Sequence, residues 1–432
     1  MFRSIMQQGL SRRDALRLAG SGIAAGSLSG WMPVLAQAAS AADAGSASAS
    51  ARKHKSCILL YMDGGPSHID TFDPKTHPDT KGEFQAIDTN VPGIQIGEHL
   101  PHLAKQMDKC VLLRGMSTGE GAHPRAKYMM HTGYREGVGG LNYPSLGSIA
   151  SMEIGDPKLP IPNYVGIGRA HGAGFLGASH APLIVNDPTR GVENLKPFVA
   201  ASQFDRRLGL FEEMEAAFLK DYQATSGTDH RTTYRRAVEM IKSKEALAFD
   251  LAKESEATRK LYGNGRFAEG CLLARRLVET GVAFVEVSLG GWDTHEDNFD
   301  RVKGLCGQID KPVAALLADL KARGLLDDTL VVWMGDFGRT PKLNARGKKP
   351  GRDHYPRAWS AFLAGGGLQG GRVIGKTDEK GADVVENKIA AIDLMGAICQ
   401  VLKIDSGKWN QSPIGRPIRI VDKAAKPIPG LV

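Results

Sequence analysis

Four short, almost uninterrupted apolar runs limit what this chain can fold into: Ser56–Met62 (SCILLYM), 110–114 (CVLLR), 283–289 (AFVEVSL) and 329–334 (TLVVWM). Runs of this length without polar alternation suit strands buried on both faces, the condition of a parallel sheet covered by helices. A fifth, weaker run spans 359–364. The segments between supply the cover, because apolar residues recur at helical spacing over 231–262, 267–280, 299–323 and 388–402. Gly281 stands where a glycine ends a helix. The expected class is α/β with three layers, a mostly parallel central sheet with helices on both faces. The 432 residues, 42% of them hydrophobic, suffice for a sizeable core, and no fixed-period repeat points to a solenoid or propeller.

The first fifty residues read as an address. Ser11-Arg12-Arg13-Asp14-Ala15-Leu16 opens a mildly apolar stretch, diluted by Gly20, Gly22, Gly26 and Gly30 and running to about Leu35. Ala36-Gln37-Ala38 then offers the small residues a signal peptidase needs. Together these predict a twin-arginine (Tat) signal peptide over 1–38. Glycine makes the stretch a poor membrane anchor, since a span needs about 20 strongly apolar residues. An Ala, Ser and Gly linker follows over 39–54. A mature domain over 55–432 is thus expected to meet the Tat machinery, to end up periplasmic or secreted, and to carry no membrane span.

The net charge of +8 attracts nucleic acid and small anions alike. No nucleic-acid-binding motif accompanies it, so an anionic substrate is the expected partner and nucleic acid is not. Cys57, Cys110, Cys271, Cys306 and Cys399 are odd in number and widely spaced within apolar runs. They read as small buried hydrophobes, not as a disulfide framework or a zinc ribbon.

Each apolar run ends in acids and histidines. Asp63-Gly64-Gly65-Pro66-Ser67-His68 follows the first. Ser117-Thr118 follows the second, with His123-Pro124 at the head of an expected helix. Gly290-Gly291-Trp292-Asp293-Thr294-His295 follows the third, and Gly335-Asp336-Phe337-Gly338-Arg339 the fourth; Gly351-Arg352-Asp353-His354 comes later. The carboxyl ends of parallel strands share one edge, where ligands bind. Asp63, His123, Asp293, His295 and Asp336 should therefore meet at one rim, with the mixed carboxylate and imidazole donors that divalent cations take. One acid after a strand is commonly a turn residue; four such loops in one chain make a constellation. Arg339 and Arg352 are candidate substrate-anion binders, because guanidinium grips oxyanions bidentately. Arg346, Lys348 and Lys349 would draw acidic substrates toward them. His68 and Asp70 are candidates to orient a ligand. Gly365-Gly366-Gly367 and Gly370-Gly371 read as a hairpin or bulge, since no Lys-Ser or Lys-Thr follows to make a phosphate loop.

CILLYMDGGPSHIDTFDPK, ARRLVETGVAFVEVSLGGWDTHEDNF and TLVVWMGDFGRTP with GRDHYPRAWSAFLAGGGLQGG resemble the domain-of-unknown-function 1501 family, which is placed in the alkaline phosphatase and sulfatase superfamily. The resemblance covers about 55–425. It implies an alkaline phosphatase-like fold, with Asp63, Asp293, His295, Asp336 and His354 as ligands of a divalent ion (Zn, Mn, Mg or Ca). It also implies a nucleophile at a helix N-terminus after the second strand, between Ser117 and His123. Ser117, Thr118 and His123 are the catalytic candidates. The implied activity is metal-dependent hydrolysis of phosphate or sulfate esters by an exported enzyme. Two departures stand against the superfamily pattern: Phe337 occupies a place usually held by His or Asn, and the sulfatase C-x-P-x-R motif is absent. Phe337 favours the alternative, a non-catalytic exported binding protein with an incomplete metal set.

Overall fold

All seven residues of β1 (Ser56–Met62) are buried, as a strand with helices on both faces requires. This computed structural model describes residues 55–432 apart from 193–194, 196–198 and 222–224; the expected signal peptide and linker lie outside the described residues. The strands that build the sheet and site continue as β2 (Cys110–Met116), β3 (Tyr164–Ile167), β4 (Leu183–Val185), β5 (Phe284–Leu289), β6 (Thr329–Gly335), β7 (Gly338–Arg339), β8 (His354–Tyr355), β9 (Trp359–Gly365) and β10 (Arg372–Ile374). Eight form one sheet in the order β10-β2-β9-β6-β1-β5-β3-β4. The ladders are parallel except those of β9, which runs antiparallel to β2 and β6. β7 and β8 pair separately, His354 opposite Arg339.

The relevant helices are α1 (His123–Thr132), α2 (Leu146–Glu153), α3 (Arg266–Thr280), α4 (Asn298–Ala322) and α5 (Ala391–Val401). Ile58, Leu60 and Met62 share a core with Leu272 of α3 and Leu316 of α4. Cys57, Leu59 and Tyr61 share the other with Met130 of α1, Ile149 of α2 and Ile398 of α5. Successive side chains thus feed opposite layers, and each fully buried aliphatic one contributes about 1.5–3 kcal/mol. The three-layer, mostly parallel α/β fold is the one the apolar runs predict. All five cysteines are buried and free. Among the described residues no helix is long and apolar enough to cross a membrane.

Some elements differ from expectation. The helix expected over 231–262 is divided into Thr225–Lys242, two 3-10 turns at Glu245–Phe249 and Leu251–Lys253, and Glu256–Tyr262. Asp250 and Ser255 cause the later breaks, each accepting a backbone N–H that starts a new turn. β3 and β4 are too short to stand out as apolar runs. Gly365 to Gly367 all have positive φ and turn the chain off β9. They make no hairpin, because β10 pairs with β2.

Candidate metal centre and active site

β6, β1 and β5 are neighbours and run the same way, so the loops carrying Asp336, Asp63 and Asp293 abut at one edge. Gly64 N–H donates to Asp336 Oδ1 at 3.0 Å, and Trp292 N–H donates to the Asp63 carbonyl at 3.3 Å. Such approach needs glycine at Gly65, whose φ is +74° and whose Cβ, if present, would sit 2.4 Å from the Phe337 carbonyl oxygen. We expect Gly65→Ala to lower stability by about 2 kcal/mol or more, from left-handed strain plus the clash. A urea midpoint equal to wild type would contradict this packing.

Three imidazoles converge here, each with its Nδ1 committed. His123, at the head of α1 before Pro124, places Nδ1 2.5 Å from Asp336 Oδ2. His354 Nδ1–H donates to the Gly121 carbonyl at 2.8 Å, and His295 Nδ1 lies 2.8 Å from Asp353 Oδ1. An Nδ1–H held by an acceptor leaves the Nε2 lone pair free, the usual arrangement behind a metal-ligating histidine. All three Nε2 atoms face Asp293 Oδ1, at 3.3 Å for His123, 3.1 Å for His295 and 3.3 Å for His354. The ligand atoms of His123, Asp293 and His354 lie within 4.8 Å of one another, and His295 Nε2 is 2.9 Å from His354 Nε2.

The electrostatics favour the ligating form at two of these donors, Asp293 and His354. Burial raises the Asp293 carboxyl pKa, but the Arg339 guanidinium and His123 outweigh it and hold it at about 2. Burial lowers the His354 pKa, helped by Arg339 and His123, which keeps its imidazole neutral. Burial also pulls His123 down, but Asp336 and Asp293 outweigh it and raise its pKa. Phe337 is fully buried and stacks on His123 with ring centroids 4.6 Å apart, and it also packs on His354 at 4.9 Å. The residue that cannot ligate is therefore the apolar wall that fixes two imidazoles. The donor set of imidazole nitrogens and one ionised carboxylate fits a divalent ion such as Zn or Mn.

The other candidate residues take different places. Asp63 pairs with Lys127 Nζ and lies 3.8 Å from Arg169 Nη1. Asp336, wholly buried, orients His123. Arg339 touches Asp293 Oδ1 at 2.6 Å but is wholly buried, donating to the Gly64 and Gly65 carbonyls. Arg352 is also wholly buried, donating to both oxygens of Asp70 and to carbonyls of Thr80, Thr340 and Pro341. Neither guanidinium is presented as a free anion grip. Ser117 and Thr118 line a separate cavity of about 390 Å³ with Met129, Tyr134 and Ile392. His68 bonds the Gly381 carbonyl, so it braces a loop. Arg346 pairs with Asp353, and Lys349 with Asp297 and Asp300. Sequence reasoning missed Lys127, Arg169, Gly121 and the role of Asp353; for Lys127 the signal was its spacing of four from both His123 and His131.

α1 carries a second polar group inward. His131 Nε2 lies 3.0 Å from Glu286 Oε1, and Tyr164 Oη donates to Glu286 Oε2 at 2.9 Å. His171 stacks on His131 at 5.7 Å. Burial, then the His131 charge, lower the His171 pKa to about 4. The folded chain therefore holds fewer protons than the unfolded one between about pH 4 and the ordinary value near 6.5. This stabilising contribution is whole above about 6.5 and is lost as pH falls through about 4. The His131 pKa is raised by Glu286 despite burial, so its own contribution declines only at higher pH. We expect His171→Gln to flatten the fall of the urea midpoint over this acid window; parallel wild-type and variant profiles would refute it.

No curated protein matches the sequence. Solved structures that resemble the fold include the PsFucS1 sulfatase from Pseudoalteromonas sp., at 13% identity and TM-score 0.39, covering 82% of this chain and 68% of that one. The alkaline phosphatase from the Antarctic bacterium TAB5 is 16% identical at TM-score 0.35, covering 81% and 98%. The lipoteichoic acid synthase LtaP from Listeria monocytogenes is 12% identical at TM-score 0.35, covering 83% and 74%. At these scores the likenesses say nothing of this chain's chemistry. Residues 54–432, a span that takes in every described residue and the whole of the site, match the model of the family described as "Protein of unknown function (DUF1501)", and the chain belongs to that family.

Proposed function

We propose that the protein is a metal-dependent hydrolase of phosphate or sulfate esters. One observation carries this reading: three imidazoles, each with Nδ1 committed, turn Nε2 toward the single oxygen of Asp293. A divalent ion bound there supplies Lewis-acid stabilisation of an ester oxygen and lowers the pKa of water. The chain's own residues do the rest. Asp293, His295 and His354 would hold the ion. Asp336 keeps His123 in one tautomer, so that Nε2 either ligates or takes a proton from the attacking group. Arg339 keeps Asp293 ionised and aimed. Phe337 excludes water from one side of both rings. Ser117 and Thr118 remain alternative nucleophiles, which His123 would then orient.

A panel of chromogenic phosphate monoesters, phosphate diesters and sulfate esters tests the reading, run with added Zn, Mn, Mg and Ca. Turnover of at least one class, abolished by chelator and restored by metal, is expected. Protein without stoichiometric metal and without turnover of any ester would favour the second reading, a non-catalytic exported binding protein with an incomplete metal site, which Phe337, a residue that cannot ligate, supports. Export is part of the proposal and rests on the Arg12-Arg13 pair and the Ala36-Gln37-Ala38 site. Replacing both arginines by lysine should retain the protein in the cytoplasm; unchanged export would remove the Tat assignment.

A further inference from the structure

We infer that Lys127 and Arg169 form an oxyanion subsite beside the metal centre, matched to a dianionic tetrahedral group, phosphoryl in preference to sulfuryl. The inference depends on the ester-hydrolase reading and names the substrate class within it. Residues four apart on a helix stand on one face. Along α1, His123 meets Asp336, Lys127 meets Asp63 and His131 meets Glu286. Lys127 therefore stands one turn from the imidazole that faces Asp293. Arg169 follows β3 at the same edge of the sheet, and its backbone N–H donates to Ser288 Oγ at 2.9 Å. Its guanidinium reaches to 3.8 Å from Asp63 Oδ2, so two cations flank one carboxylate.

Both cations keep donors to spare. The Lys127 side chain is 33% exposed and that of Arg169 is 84% exposed. An ammonium offers three N–H groups and a guanidinium five, more than Asp63 can accept. Arg339 and Arg352, by contrast, are wholly buried and donate to backbone carbonyls and carboxylates. Charge selects the ligand. Lys127 and Arg169 against Asp63 leave one positive charge in excess. Asp293 and Asp336 against Arg339 leave one negative charge, which a divalent ion bound through imidazole lone pairs would turn into one positive. Asp353 is matched by Arg346. The two halves together carry two positive charges, which a phosphate monoester dianion neutralises and a sulfate ester monoanion does not.

Calorimetric titration of the zinc- or manganese-loaded protein with phenylphosphonate, and separately with benzenesulfonate, at a mildly alkaline pH where the first is a dianion and the second a monoanion, tests this, with metal content measured in every sample. Wild type should bind phenylphosphonate at least about tenfold more tightly than benzenesulfonate, the effect of one charge-assisted contact. Lys127→Met should weaken phenylphosphonate binding at least about tenfold with metal content unchanged, Arg169→Ala should weaken it several-fold, and Lys127→Arg should retain it. Arg169 is exposed, so if Lys127→Met does not fold, Arg169→Ala decides alone. Phenylphosphonate affinity equal to wild type in the folded variants would overturn the subsite and leave the hydrolase reading standing. Benzenesulfonate bound as tightly as phenylphosphonate would overturn the charge selection. Metal-loaded wild type that binds neither anion would overturn the hydrolase reading, and the subsite with it.

Discussion

Replacing His123 by alanine is expected to cut ester turnover at least about a hundredfold, the lower range for losing a general acid or base. Two features make this loss larger than a contact count would give. The ring is held on both sides, Nδ1 by buried Asp336 and the face by Phe337, so no water takes its place with the same aim. Removing it also leaves the Asp336 carboxylate buried with only the Gly64 N–H as a partner among the contacts described. The paired replacement of Ser117 by alanine and Thr118 by valine should stay within a few-fold of wild type if the cavity they line lies outside the chemistry. Comparing kcat for these variants decides the nucleophile: near-wild-type turnover in His123→Ala, with metal content unchanged, would remove His123 from the reaction, and collapse of the paired variant would move the nucleophile to that loop.

The second large effect is on stability. Arg352 and Asp70 are both wholly inaccessible, and Arg352 Nε donates to Asp70 Oδ2 at 2.8 Å. The same guanidinium ties the Thr80 carbonyl to those of Thr340 and Pro341, and Asn298 donates to Asp70 Oδ2 at 2.9 Å. Arg352→Met would strand a buried carboxylate, and breaking such a pair costs about 3–5 kcal/mol. Guanidinium denaturation should show that loss at neutral pH. Stability within about 1 kcal/mol of wild type, together with a raised KM, would instead make Arg352 the anion binder that its sequence context suggested.

What the sequence made legible follows from periodicity. Strands buried on both faces leave continuous apolar runs, and Asp63, Asp293 and Asp336 sit where three of those runs stop, so their shared edge could be read from order alone. Their partners could not. Whether a guanidinium faces solvent or a carbonyl is decided by backbone far away in sequence, and so Arg339 and Arg352 looked alike on paper to free anion grips. Gly121 and Asp353 fix imidazole tautomers through contacts 233 and 58 residues distant. Lys127 was legible in principle, because His123, Lys127 and His131 share one face of α1, but no pattern in the chain says that Asp63 would receive an ammonium. The broken helix after Thr225–Lys242 shows the reverse failure: helical spacing persists there, while Asp250 and Ser255 win the local contest for backbone N–H groups.

The central claim is that Asp293, with His295 and His354, holds a divalent ion beside His123. Elemental analysis of wild type and Asp293→Ala, each loaded with zinc or manganese and then dialysed exhaustively, tests this most directly. The account predicts a stoichiometric ion in the wild type and its loss in the variant, because Asp293 Oδ1 is the one oxygen that all three Nε2 atoms face. Wild type that emerges metal-free, or a folded Asp293→Ala that keeps its full complement, would contradict it.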